Sequence, residues 1–128
     1  VVTPHAGEMA AFCGVSKEEV DADPERAGCR AADRLQGVVM MKGEQTHICE
    51  PGDRSMLCEG GGLGLAIAGS GDVLAGAVGG LLARGASPPL AAQWGAYLHA
   101  EAGRRLGKRI GSIGFLAREL PGILPELL

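Results

Sequence analysis

The segment Ala68-Gly69-Ser70-Gly71-Asp72 carries the strongest chemical signal in the sequence. Glycines that precede a helix leave its first backbone N–H groups accessible, and the helix dipole adds partial positive charge, so this turn is typical of an anion site. In the first helical turn the Asp72 carboxylate would repel a phosphate, unless it faces the group that attacks the phosphate and acts as a general base. The alternative is structural: Asp72 complements the helix dipole by about 0.3 to 1 kcal/mol.

A second candidate for phosphate binding is Lys42-Gly43-Glu44-Gln45-Thr46, which follows a predicted strand. The Lys42 ammonium and the N–H groups of such a turn can meet phosphate oxygens. The segment lacks the order G-x-x-x-x-G-K-[ST], so it is not a Walker A loop. The alternative interpretation is an ordinary hairpin turn.

Three histidines differ in their predicted settings. His5 lies on a rigid loop, Thr3-Pro4-His5, directly after a predicted strand end at Val1-Val2, which is the usual position of ligand residues in open α/β sheets. His99 falls in the middle of a long predicted helix, where we expect a packing or surface role. His47 alternates with Ile48 on a strand and is expected to be solvated.

The elements that must position these residues follow from local patterns. An apolar run at Val38–Met41 predicts a strand buried on both faces, and a turn at Pro51–Asp53 separates two further strands. We expect strands at 38–41, 45–50 and 54–58, preceded by the end of a buried strand at Val1-Val2.

Helix signals are equally local. Ser16-x-x-Glu19 is a capping box, and Asp23-Pro24 opens a helix that should run through Leu35 and be terminated by Gly37. The predicted helices cover 8–12, 24–35, 70–84 and 88–106, with short helices at 114–119 and 120–127. In the fourth of these, Leu90, Trp94, Leu98 and Ala102 form one stripe, Glu101 and Arg105 an exposed pair, and Gly107 the end. Gly76-x-x-x-Gly80 predicts close helix packing.

Composition excludes several classes of function. The 128 residues suffice for a single domain, and 12 Lys and Arg against 15 Asp and Glu, a net charge of -3, argue against a nucleic-acid partner. Asp72 interrupts the apolar stretch 63–83, which argues against a membrane segment. The chain has 22 glycines, which indicates close backbone approach to a ligand or to another element.

The four cysteines form no C-x-x-C pair, so we expect no metal site. No basic region followed by an apolar region opens the sequence, and nothing therefore indicates secretion. The cysteines are interpreted as reduced, small apolar fillers, and the expected location is the cytoplasm.

Taken together, four segments resemble the NAD(P)H-hydrate dehydratase family, a carbohydrate-kinase-like branch of the ribokinase-like fold. They occur in family order and are Thr3–Met9, Lys42-Gly43-x-x-Thr46, Gly69–Gly76, and Gly95–His99 followed by Ala102-Gly103. The resemblance covers only the C-terminal half of the family domain. The pattern of strands and helices itself predicts an α/β fold with a small, mainly parallel sheet of three or four strands. The resemblance implies that the fold is ribokinase-like and that residues 1–128 form a single domain, a fragment with this sheet and flanking helices.

The resemblance also implies an activity, the dehydration of (S)-NADHX and (S)-NADPHX with ADP or ATP as phosphoryl donor and Mg²⁺ as accompanying ion. In that family pattern His5 and Asp72 contact the hydrated cofactor. Asp72 would be the base that deprotonates the ring hydroxyl before this hydroxyl receives the phosphoryl group. The residues implied to contact the nucleotide are Lys42, Gly43, Glu44, Gln45, Thr46 and Gly71.

The chain departs from the family in one loop and in length. A family pattern like G-N-x-G-x-A-T implies polar residues where this sequence has Gly62 and Ile67, which removes donors near the phosphates. Because the chain resembles half of a domain, we expect it to form a homo-oligomer or to pair with an N-terminal half.

Two other functions remain open from the sequence alone. A small-molecule kinase of the same fold would also use a glycine loop and a base, although Thr3-Pro4-His5 together with Gly69–Asp72 favours the dehydratase. A catalytically silent nucleotide-binding module is favoured by the short chain and by Gly62 and Ile67.

Overall fold

The computed structural model describes residues 1–128, which divide into two compact units, Val1–Cys58 and Glu59–Leu128. The first unit combines helices with a small sheet, as expected for an α/β chain. Its elements in order are α1 (Ala6–Cys13), α2 (Lys17–Ala22), α3 (Pro24–Leu35), β1 (Val39–Met41), β2 (Thr46–Glu50) and β3 (Arg54–Cys58).

The predicted helix starts of this unit are confirmed. Ser16 Oγ accepts from the Glu19 N–H at 3.2 Å, and Ser16 N–H donates to Glu19 Oε2 at 3.0 Å, which completes the capping box of α2. Asp23 Oδ1 accepts from the Arg26 N–H at 3.0 Å at the start of α3. The predicted end of α3 at Leu35 is confirmed, and its C-cap is Gln36, which takes the left-handed conformation with φ 50° before Gly37.

The sheet is antiparallel, which corrects the expectation of a mainly parallel one. Its order is β1-β2-β3, with Val39 opposite Cys49 and Thr46 opposite Cys58. The turns between these strands are four and three residues long by the strand bounds, and a parallel connection needs a crossover of a dozen residues or more. Short turns therefore force consecutive strands to run in opposite directions.

Parallel pairing is confined to the N-terminal segment. Val2 N–H donates to Val38 O at 3.0 Å, Met40 N–H to Val2 O at 2.8 Å, and Lys42 N–H to Pro4 O at 2.8 Å. Val1 and Val2 thus extend the sheet beside β1. They are 40% and 43% exposed, so the expectation that they are buried is wrong.

The core of the first unit confirms that β1 is covered on both faces, since all three of its residues are buried. Helix α3 packs against β1 and β2, and a β-carbon at Gly28 would lie 2.8 Å from Cys49 Sγ. All four cysteines are free, and burial raises the pKa of the Cys49 thiol far above its usual range. The hydrophobic core of this unit comprises the buried residues Met9, Ala10, Val20, Cys29, Ala31, Ala32, Val39, Met41 and Cys49.

The second unit is built on two helices, α4 (Ser70–Ala83) and α5 (Pro88–Ile110), with short 3₁₀ helices at Leu63–Leu65, Ala117–Glu119 and Leu124–Leu127. Helix α5 runs through the predicted stop at Gly107 and ends before Gly111, whose φ of 134° only glycine adopts readily. Arg105 and Arg104 both pair with Glu101, at 3.4 and 2.9 Å.

The predicted apolar stripe of α5 is half right. Leu98 and Ala102 are buried, whereas Leu90 and Trp94 are 45% and 44% exposed. The buried face consists mainly of small residues, because α4 packs closely against it. It comprises Ala91, Ala92, Gly95, Ala96, Leu98, Ala100, Ala102, Gly103 and Leu106.

Close packing of α4 against α5 occurs at Gly95, not at Gly76 and Gly80. A β-carbon built on Gly95 would overlap Val78 Cγ2, while one on Gly76 or Gly80 would meet no atom within 4 Å. The prediction from Gly76-x-x-x-Gly80 is therefore wrong within this chain. None of the helices combines the length and the apolar character that crossing a bilayer requires.

We expect Gly95→Ala and Gly76→Ala to change the stability in opposite directions. Overlap with Val78 should cost the Gly95 variant about 1 to 3 kcal/mol. Alanine at Gly76 should stabilise the exposed helix by about 0.5 to 1 kcal/mol through helix propensity. Thermal melts of both variants test this. A larger loss of stability for Gly76→Ala than for Gly95→Ala would instead place the close helix contact at Gly76.

We also expect the 128-residue chain to self-associate or to have low stability. Val2 and Pro4 form the backbone hydrogen bonds to the segment of β1. In a parallel pair the residue between them, Thr3, therefore turns its N–H and C=O groups away from β1, toward the unpaired edge of the sheet. A charge on the open segment, Val1→Lys, should reduce association measured by light scattering. A monodisperse wild-type monomer with a cooperative melt above about 55 °C, mid-range for mesophile domains, would contradict the expectation.

Candidate functional site

In the first unit the structure brings together His5 and Lys42, which form an isolated parallel bridge. Each residue stands at the carboxyl end of an extended segment, His5 after Val2–Pro4 and Lys42 after β1. Ligands in open α/β sheets bind at such carboxyl ends. The sequence predicted both residues separately, and the backbone pairing makes them neighbours.

His5 is more firmly held than a loop residue, because it caps α1. Its Nδ1 accepts from the N–H groups of Gly7 and Glu8 at 3.0 and 3.2 Å, and its own N–H donates to Glu8 Oε2 at 2.7 Å. A nitrogen that accepts carries no proton, so Nε2 holds the proton of the neutral ring. The cap starts α1 at Ala6 and not at the predicted Glu8.

Glu8 is the acidic member of this group. The backbone hydrogen bond from His5 lowers the pKa of the Glu8 carboxyl, and the His5 ring and the Lys42 ammonium lower it further. Glu8 Oε1 lies 3.4 Å from His5 Nε2. The ionised carboxylate therefore contacts both the backbone and the ring of His5 and fixes the direction of the imidazole.

The segment Lys42–Thr46 is the turn between two antiparallel strands, β1 and β2. Lys42 is half-buried, Gly43 to Gln45 are exposed, and Thr46 is the first residue of β2. The turn geometry matches the hairpin interpretation, and contact with a nucleotide stays a prediction for these residues.

In the second unit, Gly69, Gly71 and Asp72 form the start of α4. Gly69 is the N-cap, with φ 86°, and has no side chain with which to cap the helix. Ser70 N–H donates to Ile67 O and Val73 N–H to Gly69 O, at 3.2 and 3.1 Å. The N–H groups of Gly71 and Asp72 have no protein acceptor, and the exposed Asp72 carboxylate has no partner. This turn can bind an anion through two N–H groups beside a free carboxylate.

Sequence reasoning missed the contact between Ser70 and His99. His99 Nε2 lies 2.9 Å from Ser70 Oγ and 3.0 Å from Ser70 O, and Ser70 is 3% exposed. A carbonyl oxygen only accepts, so Nε2 must carry the proton. This nitrogen cannot then take a proton from Ser70, and the pair is not a nucleophile with its base. No local spacing indicates a contact across 29 residues; it arises from the packing of α4 on α5.

The loop at Gly61–Ile67 is held by close packing. Its Gly62 has φ 97° and ψ 170°, a conformation essentially limited to glycine. A β-carbon at Gly64 would overlap the Phe115 ring, and one at Gly103 would lie 2.7 Å from Leu65 Cγ. Ile67 packs against the cluster of Ala102, Leu106, Phe115, Leu120 and Ile123.

Metal-binding side chains do not cluster in this chain. The structure has no group of three or more His, Cys, Asp or Glu residues that could hold a metal ion. Mg²⁺ does not require such a group, since it is commonly held by one or two carboxylates together with phosphate oxygens and waters.

Comparison with known proteins decides the family. The family model described as NAD(P)H-hydrate dehydratase matches residues 1–126. The chain belongs to the NAD(P)H-hydrate dehydratase family. The resemblance found in the sequence is thereby confirmed.

Among its relatives, the ADP-dependent (S)-NAD(P)H-hydrate dehydratase of Xanthomonas campestris pv. campestris is 45% identical over all 128 residues, which are 44% of its length. The ADP/ATP-dependent NAD(P)H-hydrate dehydratase of Bacillus subtilis, co-crystallized with ATP/Mg²⁺, has a TM-score of 0.92 at 33% identity and is covered to 46%. A ribokinase-like superfamily protein of Enterococcus faecalis has a TM-score of 0.81 at 25% identity, with 99% of this chain and 43% of that chain covered.

These likenesses confirm the ribokinase-like fold. They cover 99% to 100% of this chain but less than half of each relative. The chain therefore spans somewhat less than half the length of the dehydratases it matches.

Proposed function

We propose that this chain takes part in the nucleotide-dependent dehydration of (S)-NAD(P)H-hydrate, which restores NAD(P)H. The observation that carries the proposal is the start of α4, where the unpartnered Asp72 carboxylate stands beside the open N–H groups of Gly71 and Asp72. Membership of the dehydratase family, with relatives that bear this activity in their names, supports the assignment.

The nucleotide would be ADP or ATP, as in the names of the relatives from Xanthomonas campestris and Bacillus subtilis. Lys42 would supply charge to the phosphates, Gly43, Glu44, Gln45 and Thr46 the surrounding turn, and Gly71 an N–H donor. Mg²⁺ would enter with the phosphate oxygens of the nucleotide, since the chain offers no side-chain cluster of its own.

Asp72 would act as the general base. Its carboxylate takes the proton of the ring hydroxyl as that oxygen bonds to the terminal phosphorus, and the bond from this phosphorus to the rest of the nucleotide breaks. Phosphate then leaves the ring with the electron pair of the C–O bond, and loss of a ring proton restores the dihydronicotinamide. His5, held by its cap on α1, would contact the hydrated cofactor.

The chain would perform this reaction only with the remainder of the domain, either as a homo-oligomer or paired with an N-terminal half. A catalytically silent nucleotide-binding module is the second candidate, and the loop Gly61–Ile67, which has no polar side chain, favours it. For either function we place the chain in the cytoplasm, in keeping with its four free cysteines.

The main test of the proposal is Asp72→Asn, assayed with the N-terminal part of the Xanthomonas campestris relative added to the chain. The amide keeps the shape of the side chain but cannot accept the hydroxyl proton, so the rate should fall by about 10²- to 10⁴-fold while nucleotide affinity stays nearly unchanged. Recovery of NADH absorbance from the hydrate measures the rate.

Asp53→Asn is the matched control, because it removes one exposed carboxylate and suits the left-handed φ of 57° at that residue. An Asp72 variant that keeps more than a third of the wild-type rate would remove Asp72 from the mechanism. Wild-type samples that bind ADP but restore no NADH would favour the silent module.

Lys42→Ala should weaken the binding of ADP or ATP more than the binding of the hydrated cofactor, because the ammonium is assigned to the phosphates. Calorimetric titration of each ligand measures the two losses, with Lys108→Ala as a control for removing one positive charge. Equal losses for both ligands would point to a folding defect. No loss at all would leave Lys42–Thr46 an ordinary hairpin turn.

A further inference from the structure

His99 forms a hydrogen bond with the backbone carbonyl of Ser70, and this bond also affects the next residue, Gly71. His99 Nε2–H lies 3.0 Å from Ser70 O and is shared with Ser70 Oγ at 2.9 Å. The carbonyl of Ser70 and the N–H of Gly71 belong to one planar peptide unit. A group that fixes the direction of Ser70 O therefore also fixes the direction of Gly71 N–H.

The start of α4 has no side-chain cap of its own, and the side chain that contacts it comes from another helix. In α1, α2 and α3, the side chains of His5, Ser16 and Asp23 bond to the N–H groups of the first turn. In α4 the N-cap is Gly69, which has no side chain. The Ser70–Gly71 peptide rotates about ψ of Ser70 and φ of Gly71, and glycine at position 71 lowers the steric barrier to the second of these rotations.

We propose that His99 is the positioning residue of this turn: it holds the Ser70–Gly71 peptide so that Gly71 N–H points out of the helix toward the bound phosphate. The inference rests on the proposed function for the identity of the anion. Hydrogen bonding to the carbonyl also polarises the peptide, which makes Gly71 N–H a stronger donor. Because Nε2 carries its proton in both the neutral and the charged ring, the contact is independent of the His99 charge state.

The test compares two replacements of His99 in the 128-residue chain. His99→Gln keeps an N–H donor at a similar reach, and His99→Met keeps the length and removes the donor. Gln93→Met, on the same helix, is the matched control for losing a polar side chain. The readouts are the Gly71 amide resonance of the ligand-free chain and the calorimetric affinity for ADP.

We expect His99→Met to move the Gly71 amide resonance and to weaken ADP binding by about 3- to 10-fold, the usual effect of one hydrogen bond. His99→Gln should recover most of both, and Gln93→Met should change neither. Equal effects of the two His99 variants, or an unmoved Gly71 resonance in His99→Met, would overturn the proposal.

The resonance also separates this proposal from the proposed function. A wild-type chain that binds no ADP would contradict nucleotide binding by the chain alone, while the Gly71 resonance of the ligand-free variants would still decide whether His99 orients the peptide. If His99→Met unfolds the chain, His99→Gln decides the case: a folded variant with the wild-type Gly71 resonance supports the proposal, and a displaced resonance overturns it.

Discussion

The close approach of α4 to α5 at Gly95 is the constraint on which the second unit depends. Because Gly95 has no β-carbon, Val78 Cγ2 occupies the space beside it. Ser70, earlier in α4, contacts His99, later in α5, so the two helices run antiparallel. His99 follows Gly95 by one helical turn, and Ser70 precedes Val78 by two. The distance set at Gly95 thus places Nε2 of His99 within hydrogen-bond reach of Ser70, and packing in the middle of α4 determines the geometry at its start.

In the first unit, backbone pairing has the same role. The bond from Lys42 N–H to Pro4 O aligns two extended segments so that His5 and Lys42 end level with each other. The cap on α1 then fixes the ring of His5, whose Nδ1 is used by the backbone. The first region thus obtains its geometry from backbone pairing and the second from helix packing, and in both a histidine side chain bonds to the backbone.

The features that the sequence predicted are those with a local cause. Capping at Ser16 and Asp23, the buried strand at Val39–Met41 and the helix that starts at Ser70 each follow from neighbouring residues. The predicted parallel direction of the strands is wrong because the short turns between β1, β2 and β3 require antiparallel neighbours. The contact faces of α4 and the role of His99 depend on which helices meet, and a spacing such as Gly76-x-x-x-Gly80 shows only that close packing is allowed.

The loop at Gly61–Ile67 shows how a departure from the family pattern is built into the backbone. Gly62 adopts φ 97° and ψ 170°, where a side chain is strained by about 1 to 3 kcal/mol, and Ile67 packs on the core cluster around Phe115. An amide at the first position or a hydroxyl at the second would act against these local structures. Phosphate recognition by this chain would accordingly depend on main-chain N–H groups such as that of Gly71, whose peptide unit is contacted by His99 from the neighbouring helix.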